Sequence, residues 1–237
     1  ASRGLGDVYK RQGLEDFEKA IETYKEAVQF NLHNERVLYE LTYCLEIVGA
    51  LEKSIPYYKR FIDADPYSEY AWYNMGIVYN KLKKFDKAMD AYEFAIAIDE
   101  TFSSAHFNMG NTYMNLEKYD NAIACYLLTL EYEGPSPDLY CHIGASYEKM
   151  GQYEIGLRYY TKASKIDPLC HQAWFGVGTC FAFKENWLEA THFFKKAIKI
   201  DPLNTSYLKS FPLLLVLLVD PPPKSLKKLS LIHISEP

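Results

Sequence analysis

Several things are missing from this 237-residue chain, and each absence removes a class of function. No run approaches the ~18 apolar residues that a membrane-spanning helix needs; Leu213 to Val219 is far too short. The five cysteines, Cys44, Cys125, Cys141, Cys170 and Cys180, include no C-x-x-C pair, so ligand spacing for a structural metal or a paired redox motif is lacking. They read as buried, reduced thiols of a cytoplasmic protein. There is no Gly-rich phosphate loop, no nucleophile elbow and no H-E-x-x-H. The acidic residues are spread over helix surfaces and form no catalytic pair. The reading is therefore not an enzyme, with no cofactor and no metal. Clustered positive charge is missing too. Between Gly13 and Ser210 there are 20 Lys plus Arg against 28 Asp plus Glu, a balance of -8. That argues against nucleic acid as a partner, because phosphate binding needs concentrated cations.

What is abundant is tyrosine, 21 residues of it, and the reason is a repeat. Glu69 to Glu100 holds Trp72, Met75, Gly76, Tyr79, Phe85, Ala88, Tyr92 and Ala95 at fixed offsets. Moving 34 residues on gives Met109, Gly110, Tyr113, Tyr119, Ala122 and Tyr126, and then Gly144, Tyr147, Tyr153, Tyr160 and Ala163. A further step gives Trp174, Gly178, Phe181, Trp187, Ala190, Phe194 and Ala197. Apolar residues at helical spacing make one stripe per helix, so each period holds two short amphipathic helices, A and B. Five full repeats follow one another at 35–68, 69–102, 103–136, 137–170 and 171–204. Small residues at the eighth offset (Gly76, Gly110, Gly144, Gly178) and the twentieth (Ala88, Ala122, Ala190) let paired helices approach closely. Asp65-Pro66, Asp167-Pro168, Asp201-Pro202 and Gly134-Pro135 end helices, because proline cannot continue the hydrogen-bond ladder. Pro56 sits early in a B helix, where a missing amide costs least.

This array resembles the tetratricopeptide repeat family, whose pattern is W-x2-L-G-x2-Y, then A-x3-F, then A and P. The resemblance covers about 17–204. It implies an all-α chain, a right-handed superhelical solenoid of antiparallel helix pairs, whose A helices line a concave groove. It further implies a scaffold that binds a protein, as a peptide or a helix, in that groove. The family's groove offsets place Tyr39, Tyr43, Tyr73, Asn74, Ile77, Asn80, Phe107, Asn108, Asn111, His142 and Phe175 on the binding face. Asn74 and Asn108 occupy equivalent rungs, and an amide that both donates and accepts can bond an extended backbone without reading its sequence. His142 is read as a solvated surface histidine, and His106, at the tryptophan offset, as a packed aromatic substitute. Where a clamp for C-terminal carboxylates would need cations stand Ser104, Asn108, Asp138 and His142, so that activity is rejected. A rival reading makes the chain the docking segment of a larger enzyme, such as a transferase or sensor kinase.

The ends read differently. Gly6 to Gln12 (GDVYKRQ) and Leu229 to Pro237 (LSLIHISEP) resemble translated sequencing-adapter DNA at the ends of a metagenomic open reading frame. On that reading, residues 1–12 are excluded from the fold, and 13–34 keep only the second helix of a repeat. The uncapped N-terminal edge left behind would support weak self-association. After Pro202 the register fails, and 205–219 read as a degenerate or frame-shifted helix. Residues 220–237 read as a disordered tail.

Overall fold

The computed structural model describes residues 2–31, 34–204 and 207, with side chains described from residue 16 onward. Residues 205–206 and 208–237 lie outside the described residues, and with them almost all of the expected C-terminal helix and tail. The chain divides into two compact units, 1–116 and 117–237. The first holds α1 (Ser2–Phe30), α2 (Glu35–Ile47), a 3-10 turn (Leu51–Ser54), α3 (Ile55–Ala64), α4 (Glu69–Lys81), α5 (Phe85–Ile98) and α6 (Ser103–Asn115). The second holds α7 (Tyr119–Glu133), α8 (Pro137–Lys149), α9 (Tyr153–Ile166), α10 (His171–Phe183) and α11 (Trp187–Ile200). Among the described residues there is no strand. The A helices α2, α4, α6, α8 and α10 begin at 35, 69, 103, 137 and 171, successive steps of 34. Helix α1 passes through Gly6 to Gln12 without a break.

Local chemistry explains these boundaries. Asn34, Ser68 and Ser136 cap α2, α4 and α8, each side-chain oxygen accepting the amide three residues on. Every described A-to-B turn repeats one device: the fifteenth offset adopts a left-handed conformation. It is Gly49 and Gly151 in two repeats but Lys83, Glu117 and Glu185 in the other three. After α4, Lys83 N–H bonds Asn80 O at 2.8 Å and Lys84 N–H bonds Tyr79 O at 2.9 Å, which satisfies the last carbonyls. At the B-helix ends the aspartate does more than the proline. Asp65 and Asp167 accept the amide two residues later, and Asp99 does the same for Thr101 although Glu100 replaces proline. The Asx turn is thus the common stop signal.

Packing follows the small-residue offsets. A Cβ on Gly76 would stand 2.5 Å from the Tyr92 ring, and one on Gly178 would stand 2.7 Å from Phe194. In these two repeats, and with Gly144 under Tyr160 in the fourth, the buried aromatic of the B helix lies directly on the glycine of its A helix. In the first repeat Thr42 replaces glycine; its hydroxyl donates to Leu38 O at 2.8 Å and meets Tyr58 Oη at 3.2 Å, where it can accept the tyrosine proton. The fourth offset carries a second recurring contact. Trp72 and Trp174 donate their indole N–H to Pro66 O and Pro168 O, six residues back. His106 is buried and spans the same six-residue gap, with Nε2 2.9 Å from Glu100 O. A carbonyl only accepts, so the imidazole there carries its proton on Nε2 and replaces tryptophan in packing and hydrogen bonding alike.

Candidate functional site: two clefts on the A helices

In the first unit, α2 and α4 frame a cleft of about 450 Å³. Tyr39, Tyr43, Asn74 and Ile77 of the expected groove set line it, together with Thr42, Glu46, Ile47 and Lys81. Tyr39, Tyr43 and Ile47 are 55%, 47% and 45% exposed, three large side chains side by side on one cleft. The floor is Tyr58, fully buried, its hydroxyl pushed up to about 12 by burial. One wall is closed by Lys81 Nζ, 2.5 Å from Glu46 Oε2. Among the described residues no hydrogen-bond partner engages the Asn74 amide, which faces the cleft half-buried.

The other expected amides of this unit are engaged inside the fold. Asn108 Nδ2 donates to Tyr73 Oη at 2.8 Å, and its Oδ1 accepts from Asn111 at 3.4 Å. The Tyr73 ring also meets Phe102 edge-on at 5.0 Å. Asn80 donates to Thr112 Oγ1 across to the next A helix. These residues set the spacing of α4 and α6. Phe107 is half-buried on α6.

In the second unit, α8 and α10 frame a cleft of about 420 Å³ with different chemistry. Of the expected set it contains His142 and Phe175; it adds Asp138, Cys141, Glu148, Lys149, His171 and Tyr207 among others. Its floor is the Tyr160 ring, held between two glycines. A Cβ on Gly144 would lie 3.1 Å from that ring, and one on Gly176 would overlap it. Tyr160 Oη donates to Glu148 Oε2 at 2.8 Å. Burial pushes the Glu148 carboxyl above the usual carboxylate range, outweighing that hydrogen bond. His142 is not the solvated histidine the sequence suggests. Its ring lies 5.4 Å from Tyr126, and burial holds it below the ordinary imidazole value, against the pull of Asp138.

Tyr207 completes this cleft and was beyond the reach of the repeat pattern, since it lies past the point where the register fails. Its ring stacks on Phe175 at 4.6 Å and its hydroxyl lies 2.7 Å from His171 Nδ1. His171 Nε2 in turn faces Asp201 Oδ2 at 3.7 Å, so the Nε2–H tautomer lets Nδ1 accept from Tyr207. A spacing signal for some of these contacts does exist. Tyr73–Asn108 and Glu46–Lys81 are both 35 apart, one repeat plus one residue.

Among the described residues, no three His, Cys, Asp or Glu side chains gather as metal ligands. No described helix is long and apolar enough to cross a membrane.

Comparison with known proteins fits this architecture. Among curated proteins none matches the chain in sequence. Solved structures do resemble it. YrrB, described as a TPR protein with an unusual peptide-binding site, is 22% identical, with a TM-score of 0.62 over 80% of this chain and 98% of that one. MamA from Desulfovibrio magneticus RS-1 is 17% identical, with a TM-score of 0.64 over 72% and 97%. BtubC from P. vanneervenii is 16% identical, with a TM-score of 0.69 over 81% and 91%. At these identities the likeness speaks for the fold. Two sequence profiles, each described as tetratricopeptide repeat, match residues 69–102 and 103–133 in one case and 4–69 and 143–205 in the other. With its glycine-on-aromatic packing and its 34-residue cadence of paired helices, the chain belongs to the tetratricopeptide repeat family.

Proposed function

We propose that this chain is a non-catalytic protein-interaction scaffold of the cytoplasm that binds an extended peptide or a partner helix in the cleft between α2 and α4. One observation carries the reading: Tyr39, Tyr43 and Ile47 stand exposed around a cleft whose floor, Tyr58, is fully buried. Exposed aromatics over a dry floor supply burial energy, and the Asn74 amide beside them supplies a donor and an acceptor for a peptide backbone. The peptide-binding site named for YrrB, a protein of the same fold, supports it. Asn108, Asn111 and Asn80 act at one remove, holding α4 and α6 in register.

The test is selection of a random displayed peptide library on the immobilised 237-residue chain. The wild type should enrich peptides with apolar anchors. A Y39A/Y43A variant of unchanged helicity should bind them roughly 10- to 100-fold more weakly, the loss typical of truncated aromatic anchors. Equal affinity, or no enrichment at all, overturns the proposal.

A further inference from the structure

Cys141 on α8 and Cys170 at the N-terminus of α10 are 29 residues apart in sequence, yet their Sγ atoms stand 3.8 Å apart. Nothing in the peptide-binding reading uses them. Both are buried, and Cys141 borders the α8–α10 cleft. Cys170 is the residue preceding the first turn of α10. In its neutral form its S–H also reaches Gln172 Oε1 at 3.7 Å.

We propose that Cys141 and Cys170 form a reversible dithiol–disulfide site, oxidised by a low-molecular-weight disulfide and bridging α8 to α10. The roles of the two sulfurs follow from their settings. Cys170, at the N-terminus of α10, is held below the ordinary thiol range by its hydrogen bond with Cys141, against desolvation and the nearby Asp138 and Asp167. Cys141 is pushed the other way, first by donating that bond and then by burial and the charges of Cys170 and Asp138. Cys170 is thus the thiolate and the attacking sulfur. It attacks one sulfur of the small disulfide R–S–S–R, breaking that bond and releasing R–S⁻. The Cys141 thiol gives its proton to the released thiolate. Its sulfur then attacks Cys170 Sγ and expels the second R–S⁻, which takes a proton from water. Two protein thiols and one small disulfide become one protein disulfide and two small thiols. The sulfurs must close from 3.8 Å to about 2.05 Å, a shift within reach of side-chain rotation. The other three cysteines lack such a partner, and burial pushes each of them up, Cys125 to about 11.

The experiment treats the native, reduced 237-residue chain with oxidised glutathione and maps tryptic peptides by mass spectrometry without reduction. The expected product is a Cys141–Cys170 cross-link, two hydrogens lighter than the sum of its thiol peptides. Cys44, Cys125 and Cys180 should remain alkylatable only after unfolding. Dithiothreitol should reverse the link, and oxidation should raise the thermal midpoint by roughly 5–10 °C, as closure of a 30-residue loop implies. A C141S chain should instead accumulate a glutathione mixed disulfide at Cys170. A native chain that forms no such link, or links other cysteines first, overturns the proposal. So does a C141S chain that stays unmodified while remaining helical.

Discussion

The two clefts sit at matching offsets of the same repeat and yet share almost no chemistry. Between α2 and α4 the walls are exposed Tyr39, Tyr43 and Ile47 with half-buried Ile77 over Tyr58, and the sixth offset is Asn74. Between α8 and α10 the walls carry Asp138, His142, Glu148 and His171, and the sixth offset is Gly176. The difference begins at that one position. Asparagine brings a side chain to the cleft, whereas glycine opens a slot that the Tyr160 ring fills from below. With the ring seated there, its hydroxyl reaches Glu148 and makes a desolvated carboxyl tolerable. The repeat fixes where a cleft forms; side-chain volume at a single offset decides what kind it is.

That comparison can be broken most forcefully at the sixth offset. G176A should lower stability by about 1–3 kcal/mol, since the buried Tyr160 ring has nowhere to retreat between α8 and α10. N74A, at the same offset in the first unit, should stay within about 0.5 kcal/mol. Urea denaturation followed by circular dichroism measures both; similar losses would mean that the slot does not distinguish the clefts.

The next largest effect is expected at the floors. Y160F removes the donor to Glu148 and leaves a buried carboxyl short of a partner, at a cost of about 1–2 kcal/mol. Y58F removes only a long hydrogen bond to the neutral Thr42 hydroxyl, which still bonds Leu38 O, and should cost less than about 1 kcal/mol. Equal urea midpoints for the two variants would remove the distinction.

Titration sharpens it further. The folded carboxyl of Glu148 lies above its ordinary value of 4.5. The unfolded chain therefore releases this proton first, and stability is lost as pH rises from about 4.5 through the folded value. E148Q should lack that loss. His142 has the opposite sign. Its folded value lies below 6.5, so the unfolded chain binds the proton first, and stability is lost as pH falls below 6.5. Between pH 7.5 and 5.5, H142Q should lose less than the wild type in urea midpoint; parallel curves would contradict the burial assigned to the cleft.

The smallest effects belong to the A-to-B turns, where the first unit has Lys83 and the second has Gly151 in the same left-handed conformation. K83G should gain about 0.5–1 kcal/mol and G151K should lose about 1–2 kcal/mol. No atom stands within 4 Å of a Cβ on Gly151, so backbone strain alone is measured there. Thermal melts of both variants check the pair.

Much of the architecture was legible before any coordinates. The spacing of Gly76, Tyr79, Ala88 and Tyr92 implies two helices per period, and α4 and α5 supply them. His106 as a tryptophan substitute was legible as well, and the structure adds the carbonyl that explains it. The site was less so. Asn108 looks like a free rung but is bonded to Tyr73, because residues one repeat plus one apart meet across successive A helices. His142 looks exposed by offset but is desolvated among α8's neighbours. Tyr207 joins the second cleft from beyond the recognisable pattern.

The sequence by itself determined the cadence: where helices start, where aspartate and left-handed residues stop them, and which offsets must be small. Those are local matters of hydrogen bonding and backbone sterics, complete within a dozen residues. Only the tertiary structure decided which polar side chains are spent on a neighbour, which carboxyl is desolvated and which two thiols meet. Each of those depends on distances between residues about one repeat apart, and the depth of burial at such a meeting is set by packing that no single stretch of sequence contains.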